Sequence, residues 1–269
     1  MSEPQAPEKT ALTAGGASWL DRLARGYPEV PLVAPYALFL VLMMLDQVME
    51  GPYRTVSYAI RTFGCLLVVW MFRKHLPPWG RLHLHIAIPV GAAVALGWVE
   101  IHHFFAGCTH DPCKSLSLFG ISHHFEGFAW YRNYMLFDGK ASDYFIPAEH
   151  FETTTGLWSF LIIRIGGASI TVPIVEELFW RAFMLRILID WHRFDEVPLA
   201  KFTLVSFLVT SALSGVQHPG QWEVGVLCWF AYNGLFYWKR SLALCMVTHG
   251  VTNFVLYVFV YNTGDWRFW

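Results

Sequence analysis

Apolar stretches of near-bilayer length, one after another, constrain this sequence more than any other feature. Candidate spans run at about Val33 to Val48, Val56 to Phe72, Leu84 to Ile101, Leu157 to Val172, Phe202 to Gln217, Trp222 to Trp238 and Leu242 to Tyr261. A helix needs about 20 mostly apolar residues to cross the hydrocarbon core of a bilayer. The fold class that follows is all-α: a polytopic transmembrane helical bundle of roughly seven or eight spans. Composition agrees, with 55% hydrophobic residues and a mean hydropathy of +0.40, where soluble domains run near 45 to 50% apolar.

Four regions divide the chain. Residues 1–30 hold a polar tail, expected to be disordered and without a cleavable signal, then a stretch from Trp19 to Val30 suited to an amphipathic interfacial helix. Residues 31–101 carry the first spans. Residues 102–156 form a long polar and aromatic loop with a candidate interfacial helix over Phe125 to Phe137, and residues 157–269 form the helical core. Arg73, Lys74 and Arg81 make their short loop the clearest cytoplasmic candidate. In an eight-span chain Arg193, Lys201, Lys239 and Arg240 share the other face, so the tallies nearly cancel; the reading leans to the charges around residue 176 as the cytoplasmic side.

Cys65, Cys228 and Cys245 read as small hydrophobes. Cys108 and Cys113 bracket Thr109-His110-Asp111-Pro112, as a short disulfide if that loop meets an oxidising compartment or as two free thiols. His123-His124-Phe125-Glu126 is weak metal evidence, lacking a second ligand group at defined spacing. A net charge of -1, with no run of Lys or Arg, argues against nucleic acid as a partner.

Against this background, Pro173-Ile-Val-Glu-Glu-Leu-Phe-Trp-Arg-Ala-Phe-Met-Leu-Arg186 stands out. A charge at the bilayer centre costs roughly 2.5 to 3.5 kcal/mol on insertion scales, so such groups persist when paired or functional. Glu177 and Arg181 lie four apart, acid first, the favourable order for an ion pair on one helix face. Glu176, turned about 100° by one residue step, must look to another neighbour or to a wet cavity. A purely structural charge network at a helix end is the alternative.

Two later segments add polar groups. Ser214-Gly-Val-Gln-His218-Pro-Gly places His218 at a helix C-terminus, where the macrodipole favours an imidazolium. His249-Gly-Val-Thr-Asn253 puts His and Asn on one helix face. Each histidine alone has a dull reading as a satisfied core residue. Brought to one cavity, a desolvated carboxylate and an imidazole hold and deprotonate water, and N–H groups aimed at one point stabilise an oxyanion.

Glu176-Glu177-x-x-x-Arg181, His218 and His249-x-x-x-Asn253, in this order, resemble the three motifs of the CPBP family of type II CAAX prenyl endopeptidases and bacteriocin-processing or immunity proteins, over roughly residues 157–262. Within it, Val172-Pro-Ile-Val-Glu-Glu-Leu-Phe-Trp-Arg181 and the ending Thr263-Gly-Asp-Trp-Arg-Phe-Trp269 resemble the branch associated with bacterial exosortase systems. The resemblance implies a multi-pass protein of the bacterial inner membrane, with Glu176 as general base, His218 sharing its water, His249 and Asn253 at the oxyanion, and Glu177 with Arg181 holding the site in shape. It implies a membrane-anchored peptide or protein as substrate and no cofactor. One departure is Ser214, where the family usually has Phe.

Other chemistries remain open. There is no His-Glu-x-x-His, yet Glu176, His218 and His249 form a ligand set known from catalytic zinc sites. A serine-histidine pair of Ser214 and His249 would leave both glutamates idle, and Asp265 lacks a second intramembrane aspartate in a matching context. A non-catalytic binding or immunity protein and a proton-coupled transporter are the non-protease classes.

Overall fold

The computed structural model describes residues 18–46, 48–50, 52–107, 128, 130 and 145–269. The expected tail up to residue 17, the Cys108 and Cys113 pair, the His123 to Glu126 cluster and nearly all of the Phe125 to Phe137 segment lie outside the described residues.

Among the described residues every regular element is helical. The chain runs through α1 (Trp19–Gly26), α2 (Val30–Asp46), α3 (Pro52–Met71), α4 (Leu84–Ala106), α5 (Thr154–Ile187), α6 (Leu204–Gln217), α7 (Trp222–Lys239) and α8 (Leu242–Thr263). Ser18 and Asp21 start α1 by bonding each other's backbone N–H, a capping box. Helices α1 and α2 meet at a 100° bend, and His75 Nε2 lies 2.9 Å from Asp21 Oδ1, tying α1 to the end of α3. Hydrogen bonds with Ser18, then with His75, hold the Asp21 carboxyl down at about 2.

Helix α3 shows why the bundle suits lipid. Val56, Ile60, Phe63, Leu67 and Trp70 line its outer face, all exposed, while Arg61, Cys65 and Val69 face inward. Water would drive the reverse arrangement; in a bilayer the lipid covers the apolar stripe and the charge must find a partner inside. Arg61 finds Asp46 of α2.

Among the described residues three helices are long and apolar enough to cross a membrane, Leu84–Ala106, Thr154–Ile187 and Leu242–Thr263, with a fourth if the bent α1 and α2 count together. The sequence marks roughly seven or eight such segments. Helix α6, at 14 residues, reaches about 21 Å at ~1.5 Å per residue, short of a core about 30 Å thick. Helices α3 and α7 bury Arg61 and Glu223.

Hydropathy marks a span from Leu157 to Val172, and α5 carries it on through the glutamates as one continuous run of 34 residues. It widens into π-turns at Gly167–Thr171 and Leu178–Met184, on either side of Val172–Glu177. The first has a local cause. Val172 N–H turns back to Gly167 O, and Pro173 has no N–H to give Ala168 or Ser169.

Helix α8 packs along α4 and across the middle of α5. Two glycines permit this approach: a Cβ on Gly91 would strike Thr248 O, and one on Gly250 would strike Ser169 O. Small residues let membrane helices come close in this way. The glutamate stretch of α5 is thereby held against α8.

Candidate active site

The two acidic neighbours on α5 point to different places. Glu177 is wholly buried. Its Oε1 accepts from Arg181 Nη1 at 3.3 Å and lies 3.0 Å from His249 Nδ1, while Arg181 Nε faces Oε2 at 3.2 Å as a charge pair without hydrogen-bond alignment. The guanidinium lies 4.7 Å from the Trp229 ring centre and 5.5 Å from that of Tyr232. So the expected i,i+4 pair is present, and it reaches across to α8.

Glu176 has another partner. Gln217 Nε2 donates to its Oε1 at 2.6 Å, and Trp180 Nε1 donates to Gln217 Oε1 at 3.1 Å. One amide thus links the α5 carboxylate to the end of α6, beside His218. Nothing in the sequence singles out Gln217 beyond its position before His218 in an apolar segment.

His218 takes the C-cap of α6, with its N–H on Gly215 O at 3.3 Å. Its ring is walled edge-on by Trp98, centroids 5.1 Å apart, and by Trp229 at 6.0 Å. Ser214, which departs from the family pattern, is fully buried and donates to Ser211 O at 2.6 Å. The aromatic packing beside His218 therefore comes from α4 and α7.

His249 and Asn253 share a face of α8 as their spacing requires. Asn253 Nδ2 donates to Ala168 O at 2.8 Å, the carbonyl that Pro173 leaves without a donor. That bond uses one of the two amide hydrogens.

A cavity of about 440 Å³ connects these groups; Glu176, Gln217, His218, His249 and Asn253 all line it. Glu177 and Arg181 do not line it and sit behind His249. Four of the six expected residues thus meet at one cavity, and the other two support it. Among the described residues no three His, Cys, Asp or Glu side chains are grouped to hold a metal ion, and Glu177 faces His249 Nδ1.

One wall is closed by the segment after α8. His102 Nδ1 lies 2.7 Å from Glu223 Oε1, and His103 Nε2 lies 2.9 Å from Asp265 Oδ2. Arg267 grips Asp265 with two bonds of 2.8 Å. Burial alone would raise the Asp265 carboxyl; the bonds from Arg267 and His103 outweigh it and hold it well below the ordinary range.

Fold and site together define an integral membrane protein, all-helical among its described residues, with carboxylate, imidazole and carboxamide groups around one internal cavity. Residues 157–255 match the family described as Type II CAAX prenyl endopeptidase Rce1-like, a protease family. The matched segment carries all six residues of the motifs. No curated protein and no solved structure matches the chain.

Proposed function

We propose that the chain is an intramembrane endopeptidase that hydrolyses peptide bonds of membrane-associated substrates with water activated by Glu176. The observation that carries this reading is the meeting of Glu176, His218, His249 and Asn253 on one cavity. Glu176 takes a proton from water held between it and His218, the hydroxide attacks the scissile carbonyl carbon, and the same carboxyl gives the proton to the leaving amine.

The oxyanion falls to His249 and Asn253. Asn253 keeps one amide hydrogen after its bond to Ala168 O. His249 donates from Nε2 only as an imidazolium; with one proton on Nδ1, facing Glu177, its Nε2 accepts instead. Glu177, itself paired with Arg181, faces Nδ1 and holds the ring in place.

In this reading α2, α3 and α7 also cross a bacterial inner membrane, and the short α6 makes a seventh crossing where the bilayer thins around it. A place beside exosortase-type sorting rests on the resemblance of Val172–Arg181 and Thr263–Trp269 alone. No cofactor takes part, so cleavage by purified protein persists in chelator; its loss, restored by zinc, would favour a metal-bound water. The decisive experiment is processing of a co-expressed membrane substrate. Glu176→Ala and His218→Ala are expected to abolish it while the protein inserts and accumulates. Cleavage intact in both variants removes the enzyme reading, and solute flux without cleavage points to a transporter.

A further inference from the structure

Among the described residues the inward-facing arginines face carboxylates or carbonyls, with one exception. Arg61 faces Asp46, Arg181 faces Glu177, Arg267 faces Asp265, and Arg186 bonds the carbonyls of Ala182 and Val197. Arg164, in the apolar first half of α5, faces no carboxylate within ion-pair distance among the described residues. Its Nε is buried without a hydrogen-bond partner. Three aromatic rings surround the guanidinium instead, with centres at 4.8 Å (Tyr58), 5.0 Å (Tyr257) and 5.6 Å (Trp269).

Aromatic faces attract a cation but accept none of its five N–H bonds. They hold the planar group in place and leave its hydrogen-bonding capacity open. Arg164 also lines the cavity that holds Glu176 and His218. A caged arginine with unused donors, opening on a substrate-sized space, is built for a planar anion, and carboxylate matches its fork.

The geometry points to Arg164 as the subsite for a substrate carboxylate, anchoring one end of the peptide while its scissile bond lies at Glu176. This rests on the endopeptidase reading above. Residues 164 and 176 stand about 18 Å apart along a helix rising ~1.5 Å per residue. Extended peptide covers that at ~3.3 Å per residue, so the anion lies about five residues from the cleaved bond. A terminal carboxylate and an Asp or Glu side chain are the two sources of this group.

Binding is measured on the full chain in detergent micelles, carrying Glu176→Gln so that no turnover intrudes. The probes are N-dodecanoyl-Gly-Ala-Leu-Ala-Leu-Ala as the free acid, the same peptide as its terminal amide, and that amide with Asp in place of its last Leu. One of the two charged peptides is expected to bind about ten- to a hundredfold tighter than the neutral amide, and which one does so identifies the source. Arg164→Met, or Arg164→Gln as a second neutral variant, erases the preference, and Arg164→Lys keeps part of it. Equal affinity for all three peptides, or a preference that survives in a neutral variant, overturns the assignment. If neither neutral variant accumulates, the preference of the parent chain decides alone: present supports the subsite, absent ends it. A clear preference in a chain that cleaves none of these peptides with Glu176 intact counts against hydrolysis and leaves the anion subsite standing.

Discussion

Glu177 lies wholly buried between Arg181 and His249, whereas Glu176, one residue earlier, turns to Gln217 and the cavity. One helical step of about 100° makes the difference. The first carboxylate is fixed by two charged or ionisable neighbours and stays out of the cavity; the second has a single neutral donor and borders it. A group that moves protons needs the second setting, and a group that holds geometry needs the first. Substitutions at the two positions should therefore have opposite signatures.

The largest expected effect is on rate at Glu176. Glu176→Gln keeps the shape and removes the base, so turnover falls by about 10²- to 10⁴-fold, while the unfolding midpoint in detergent stays close to that of the parent. Retained turnover would end the contrast at once. Glu177→Ala comes next and acts on stability. It leaves Arg181 as an unpaired charge in a sealed interior, and breaking such a pair costs about 3 to 5 kcal/mol. Accumulation and thermal midpoint should drop together. A Glu177→Ala protein as stable as the parent but inactive would place Glu177 in the chemistry.

Asn253 tests whether one residue serves both purposes. Losing its amide leaves Ala168 O without a donor, worth about 1 to 3 kcal/mol when the group is buried. It also removes an oxyanion donor, typically about 10²- to 10³-fold in rate. Asn253→Ala should therefore lower both stability and turnover. A loss of stability alone would reduce Asn253 to a clasp on the π-turn.

The same contrast explains what could be seen in the sequence. Glu176, Glu177, Arg181, His218, His249 and Asn253 stand out because charged and polar groups in apolar helices need a reason, and helical spacing assigns their faces. Gln217 does not stand out, since a neutral amide carries a weaker penalty and its partner Glu176 lies on another helix. The π-turns are invisible except for Pro173, whose missing N–H releases the carbonyl that Asn253 takes up. The aromatic wall of His218 comes from Trp98 and Trp229 on two other helices, and no local pattern ties them to it. Hydropathy locates the helices well, as for α3, α4 and α8, but says less about which cross, because α6 is apolar and short.

The smallest effect is expected at the surface, where Asp21 provides the opposite case to Glu177. It too accepts from partners, Ser18 at the start of α1 and His75 at the end of α3, but in contact with solvent, where exposed pairs are weak. Its carboxyl is held at about 2 against an ordinary 3.8. A depressed acid stabilises the fold at pH above its unfolded value and loses that contribution as pH falls toward the folded one. Asp21→Asn should therefore flatten the slope of stability against pH between about 4 and 2 and leave turnover at neutral pH unchanged. A fall in turnover at neutral pH would mean that α1, although it lies at the edge of the bundle, positions α2 and with it the side of the cavity that Phe39 and Leu40 line.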